Sequence, residues 1–179
     1  MLPDPLHPAL VHFPLALAGL VPLFVIGAIV AMRRGVAPRR AWSLVVAMMA
    51  LLAGSSVLAV ETGEDEEEVV EEVVDHDIIH VHEERAEMFR NIALATLVLA
   101  LVGLAAGKVG WVGRGSASGM AFLLAGLAWG VGESGGELVY VHGAANAYIE
   151  QSGTPMPAPE DHDDAGEDDH DDEGADDDD

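Results

Sequence analysis

Four stretches of the chain carry no charged residue: 5–32, 41–60, 91–107 and 115–132. Each approaches or exceeds the roughly 20 apolar residues that a helix needs to cross the hydrocarbon of a bilayer. A soluble helical bundle would instead show polar outer faces with a helical period. Runs such as "ALATLVLALVGLAAG", residues 93–107, have none. The pattern predicts an all-α integral membrane four-helix bundle over residues 1–150, with spans near 10–32, 41–61, 87–107 and 118–141. The third charge-free stretch is the shortest, so its span is expected to borrow Met88 and Phe89. Between the second and third spans, residues 62–86 alternate acids with the pairs Val69/Val70, Val73/Val74 and Ile78/Ile79. That spacing predicts an acidic amphipathic outer segment, a loop or a helix lying on the membrane surface. Residues 151–179 hold almost nothing that can build a core, and predict a disordered acidic C-terminal tail.

Basic residues set the expected orientation. Arg33, Arg34, Arg39 and Arg40 fill the connection between the first two spans, and Lys108 and Arg114 flank the connection between the last two. The positive-inside rule assigns these connections to the cytoplasm. Both termini and segment 62–86 then face outward. Trp42 and Trp111 are expected at the inner interface, Tyr140 and Tyr148 at the outer one. No basic region precedes the first apolar run, which therefore reads as a retained span rather than a cleavable signal.

The net charge of −23 comes from two blocks, since 13 of the 31 acids lie in residues 61–87 and 14 in residues 160–179. Such a balance excludes a nucleic-acid binder, which needs basic patches. The absence of cysteine excludes disulfides, thiolate metal sites and covalent c-type haem. Any metal must use imidazole or carboxylate, and any haem must be held non-covalently. No phosphate loop, GxSxG elbow or catalytic triad is present, so no enzymatic activity is predicted.

The chemistry that remains is histidine. Counting from Arg33 places His7 and His12 at the outer end of the first span, and the same count brings His76, His80, His82 and His142 to that side. His162 and His170 lie in the tail. With Pro8 opening the first helix, His12 falls in its early turns and is expected to point inward, while His7 caps from outside. His12, His82 and His142 are the candidate haem ligands, as His12 with His82 or His82 with His142. The wider candidate metal set is His7, His12, His76, His80, His82, Glu137 and His142. His76, His80 and Glu84 recur at i, i+4 and i+8, a spacing able to chelate Zn²⁺ or Cu²⁺, though a solvated charged helix shows it too. Gly126, Gly130, Glu133 and Glu137 share a helical face. The GxxxG spacing there, and in Gly103–Gly107, predicts burial against a neighbour or a second copy. Glu133 would then need Arg85, Arg90 or a protonated histidine as partner. His142 lies about 140° around an ideal helix from Glu137, and joins them only if the helix breaks.

"HPALVHFPLAL" and "GGELVYVHG", with Thr62-Gly63 and His82 between them, resemble a widespread bacterial family of predicted four-helix membrane proteins labelled as a domain of unknown function. The resemblance covers about residues 7–143. It implies the fold and residence in the bacterial inner membrane, and carries no activity. From the residues, the leading expectation is a haem b- or metal-binding redox module at the outer face, serving a redox partner or other membrane subunit. One alternative is a non-catalytic scaffold whose His/Glu cluster is a hydrogen-bonded cap. A cation or proton transporter is disfavoured, because the first three spans hold no charge near mid-depth.

Overall fold

The computed structural model describes residues 5–151, all helices and turns. The helices are α1 (His7–Leu10), α2 (His12–Arg33), α3 (Pro38–Val70), α4 (His76–Val102), α5 (Gly107–Tyr140) and α6 (Asn146–Gln151). The acidic tail expected at 151–179 lies outside the described residues beyond Gln151.

Local chemistry sets the breaks. Pro14 has no N–H to give Leu10, and α1 gives way to α2 at Val11 without a change of direction. Gly35, at φ +93°, turns the chain out of α2, and Pro38 opens α3. Asp75 caps α4 by accepting from the Asp77 N–H at 2.9 Å. Gly107, at φ +66°, starts α5.

α2 packs on α3 and α5, and α4 packs on the same two, so α2 and α4 face each other across the diagonal. One end of the bundle carries the arginine-rich connections. The other, acidic end carries α1, the α3–α4 turn and α6. Each helix buries a stripe with alternating intervals of three and four, the spacing that turns one side of a helix to its neighbours. On α2 the stripe holds Pro14, Ala18, Val21, Val25 and Ala28; on α3 it holds Trp42, Val45, Met49, Leu52 and Ser56. Phe89, Ala93, Thr96 and Ala100 form it on α4, and Ala117, Ala121, Leu124 and Ala128 on α5. Ser55, Ser56, Thr96 and Ser134 each donate to a carbonyl three or four residues back, so their hydroxyls are buried without cost to a neighbour.

Three helical segments, His7–Arg33, Pro38–Val70 and Gly107–Tyr140, are long and apolar enough to cross a membrane. The third expected span differs. α4 stops at Val102, and Gly103–Ala106 form the turn into α5. The charge-free helical part of α4, residues 91–102, is only about 18 Å long. The fourth expected span starts earlier, because the glycine-rich stretch 107–117 is helix and not loop. Its glycines bring the backbones together: a Cβ on Gly113 would sit 2.6 Å from the Gly103 nitrogen, and one on Gly110 would meet the Ala105 carbonyl.

Three further expectations change. The acidic segment 62–86 is no separate surface helix; its first part continues α3 and its last part begins α4. Trp42 is fully buried rather than interfacial, its indole donating to the Ala100 carbonyl at 2.9 Å, whereas Trp111 is 73% exposed. The Gly126/Gly130 face points outward, with nothing near either Cβ position, and Glu133 and Glu137 on it are exposed. Small residues on the opposite side of α5 took the packing role.

Gly113→Ala therefore forces α4 and α5 apart and destabilises the fold by about 1–3 kcal/mol, the cost of overpacking. Gly126→Ala stays within about 0.5 kcal/mol of the parent. Equilibrium unfolding in detergent micelles checks both; equal losses would contradict this packing.

Candidate functional site

Followed toward the acidic end, the same four stripes stop being apolar. On α4 the series Ala100, Thr96, Ala93, Phe89, Ala86 continues to His82 and then Ile79. On α2 and α1 it runs through Pro14 and Val11 to His7. On α3 it passes Ala59 to Gly63 and Glu66, and on α5 it reaches Ser134 and Gly135. Two imidazoles thus occupy core positions of diagonal helices, at the level where the two intervening helices supply glycine. Beyond them a small apolar cluster of Val74, Ile79, Leu138 and Ala144 closes the end. The polar layer lies between that cluster and the main core.

The rings of His7 and His82 stand 6.4 Å apart, centroid to centroid, with planes at 87°. Each rests on a glycine. A Cβ on Gly63 would come within 3.1 Å of the His7 Cε1, and one on Gly135 within 3.1 Å of the His82 Cε1. Any larger residue would push the ring away.

Hydrogen bonds define the tautomers. His7 Nδ1 lies 2.8 Å from the Ala59 carbonyl, which can only accept, so Nδ1 carries the proton. His82 Nδ1 lies 2.9 Å from Ser134 Oγ, whose own proton goes to the Val131 carbonyl at 3.1 Å. His82 Nδ1 is therefore the donor. In the neutral rings both Nε2 atoms are left as lone-pair donors. Among the described residues no hydrogen bond reaches either Nε2, and neither is a sealed, unsatisfied atom. Both rings line the space around the pair.

That space is two adjoining cavities that share the imidazoles as a wall. The outer one, about 630 Å³, runs along α3 and α4 toward the acidic end. The inner one, about 400 Å³, is bounded mainly by apolar residues of α2 and α5, with His12 and Tyr140 at its edge. Both volumes fall in the range of small-ligand pockets.

Glu66 organises the entrance. One carboxylate oxygen accepts the backbone N–H groups of Leu6 (2.6 Å) and His7 (2.9 Å), the orphan donors at the start of α1. The other accepts from the Tyr148 hydroxyl at 2.8 Å, tying α6 to the same point. Glu66 thereby fixes the residue that bears the first imidazole. Burial, the neighbouring His7 and the Arg85 guanidinium push His82 down from 6.5 to about 4. Burial and the Glu67 carboxylate raise Glu83.

The other expected residues do not converge here. His12 is exposed, its Nδ1 2.8 Å from the Pro8 carbonyl, because Pro8 and His12 are one helical turn apart. His142 follows the end of α5, where Gly143 at φ +74° turns the chain, and it is exposed. Glu137 is exposed on the outward face of α5. Neither His142 nor Glu137 borders the two cavities. His76 pairs with Glu71 at 2.6 Å and approaches Glu67 at 3.8 Å across the α3–α4 turn. Ligand atoms of these three lie within 4.8 Å of one another, an exposed group able to gather a cation. The Glu71 hydrogen bond and charge raise the His76 pKa. His80 faces Glu84 at 3.8 Å, as its i+4 spacing predicts. Arg90 pairs with Glu87 at 3.0 Å, and Arg85 reaches the Gly130 carbonyl at 3.4 Å, so neither forms an ion pair with Glu133.

The pairing of His7 with His82, the hydroxyl of Ser134, the two glycine seats and the role of Glu66 were not among the expected site features. The three-four stripe carries the signal: extended outward, it selects His7 and His82 and passes over His12. Comparison with family models, curated proteins and solved structures gives no match.

The depressed pKa has a sign. Between pH 4 and 6.5 the unfolded state binds a proton that folded His82 refuses, so this group makes stability rise with pH across that window and adds no slope above it. Below that window the proton costs the folded state roughly 3 kcal/mol. Histidine-resolved NMR should find His82 neutral at pH 5.5 while His76 is protonated. A His82 titration near 6.5 would contradict the buried placement.

Proposed function

We propose that this chain is an integral membrane protein whose acidic end holds a metal centre, ligated by Nε2 of His7 and Nε2 of His82. The observation that carries this reading is the facing pair itself. Two imidazoles 6.4 Å apart have Nδ1–H committed to protein oxygen, and both line the same two cavities. Metal-ligating histidines are held in this way, with the far nitrogen's hydrogen bond fixing tautomer and orientation. The neutral state of His82 agrees with it, since a ligand must shed its proton.

In this reading four helices span the bacterial inner membrane. α4 contributes its short apolar part between α3 and α5, and the arginine-rich connections lie in the cytoplasm. Both termini, the acidic tail and the site then face outward. Exposed Trp111 and Tyr140, at 73% and 90%, fit aromatic positions at the two interfaces. Membership of the bacterial four-helix family rests on the same motifs, because His7-Pro8, Thr62-Gly63, His82 and Gly135-Gly136 all contribute to one layer. An iron or copper ion, or the iron of a haem b, would make the module a redox centre for an outward-facing partner.

A second reading, a scaffold whose polar layer is a structural cap, draws on one observation. No buried side-chain nitrogen or oxygen lacks a hydrogen bond among the described residues.

Metal analysis and absorption spectra of the purified chain separate the two. His7→Ala and His82→Ala should each reduce bound metal or pigment at least ~10-fold, the scale of losing a ligand or its support, with membrane insertion unchanged. His12→Ala and His142→Ala should leave it unaltered. Equal metal content in all four variants would remove the centre, and a metal-free parent destabilised by loss of either imidazole would favour the cap.

A further inference from the structure

The walls of the outer cavity bear on what the imidazole pair takes. Glu64, Glu66, Glu67, Glu83, Glu84 and Glu87 all border it, from α3 on one side and α4 on the other. No lysine or arginine borders either cavity among the described residues. Arg85, whose charge acts on His82, reaches the Gly130 carbonyl on α5 and lines neither cavity. A ligand moving from the acidic end to Nε2 of His7 and His82 passes between two rows of carboxylates. The cavity is short of positive charge.

We propose, resting on the metal-centre reading above, that the pair takes a bare divalent transition-metal cation delivered through this acidic vestibule, and not a haem. A haem b brings two propionates, which would have to face the carboxylates with no basic side chain in the walls to receive them. A divalent cation meets the opposite field. A cleft lined by one sign of charge concentrates counter-ions and speeds their arrival. At its end, imidazole nitrogen suits Zn²⁺, Cu²⁺ and Ni²⁺. The two ring centroids lie 6.4 Å apart, and imidazole nitrogen binds Zn²⁺ at about 2.0–2.1 Å.

The test uses the full chain in nanodiscs at low salt, with Zn²⁺ and haemin as separate probes. Zn²⁺ binding is read at the imidazole NMR signals of His7 and His82, so cations held by the tail do not count. Haemin is read as a Soret band, with His7→Ala/His82→Ala as the reference. Glu64→Gln/Glu84→Gln/Glu87→Gln neutralises the vestibule at exposed positions outside the imidazole pair. The proposal expects saturable Zn²⁺ shifts of both rings, weakened at least ~10-fold in the triple variant, with the difference closing at high salt. It expects no Soret band that depends on the two histidines. Zn²⁺ binding indifferent to the triple substitution, or a His7- and His82-dependent Soret band, would overturn the cation proposal while leaving the metal-centre reading in place. If neither probe reaches the rings, the metal-centre reading fails as well.

Discussion

A helix packed in a bundle must put some residue at every core position, and in this chain two of those positions hold histidine. The constraint that follows is strict. A buried imidazole costs free energy unless its N–H finds an acceptor. The backbone carbonyl of Ala59 and the hydroxyl of Ser134 serve that need. Once they do, the proton's place on each ring is settled and so is the direction of the lone pair. The opposite nitrogens, which take no hydrogen bond among the described residues, are the chemically active remainder.

Everything around the rings serves their position. Gly63 and Gly135 leave room for imidazole where any side chain would collide with it. Glu66 ties down the backbone of Leu6 and His7, which would otherwise begin a helix with orphan donors exposed. Tyr148 brings α6 to the same carboxylate, so the far end of the chain helps hold the near end. An apolar cluster on one side and the main core on the other isolate the polar layer. In lipid, where burial of apolar surface between helices gains little, such hydrogen-bonded layers and close backbone contacts supply much of the specificity.

The architecture was largely legible in the residues, and the pairing was not. Charge-free runs and arginine clusters point to long apolar helices with their connections at opposite ends, and the long helices follow. Boundaries failed where glycine has two uses. Residues 103–106 read as part of a span but form a turn, and the glycines of 107–117 read as loop but allow close packing. Within the bundle, Ala121, Leu124 and Ala128 pack inward in place of the Gly126/Gly130 face, because they form the more apolar stripe. Taking Pro8 as the helix start favours His12 over His7, whereas α1 begins at His7. Angular position decides, and the interval rule, carried past Pro14 to Val11 and His7, contains it. Ser134 and Glu66 had no visible role until partners 52 and 60 residues distant were placed beside them.

Cross-linking is the most direct measurement of whether the two rings face each other. The chain has no cysteine of its own, so His7→Cys/His82→Cys introduces a unique pair. In native membranes a short bifunctional thiol reagent should join that pair rapidly within one chain, while His12→Cys/His82→Cys and His142→Cys/His82→Cys stay unlinked. Efficient linking through position 12 or 142, with position 7 unreactive, would mean that the polar layer is assembled from other residues and that the site described for this protein does not exist.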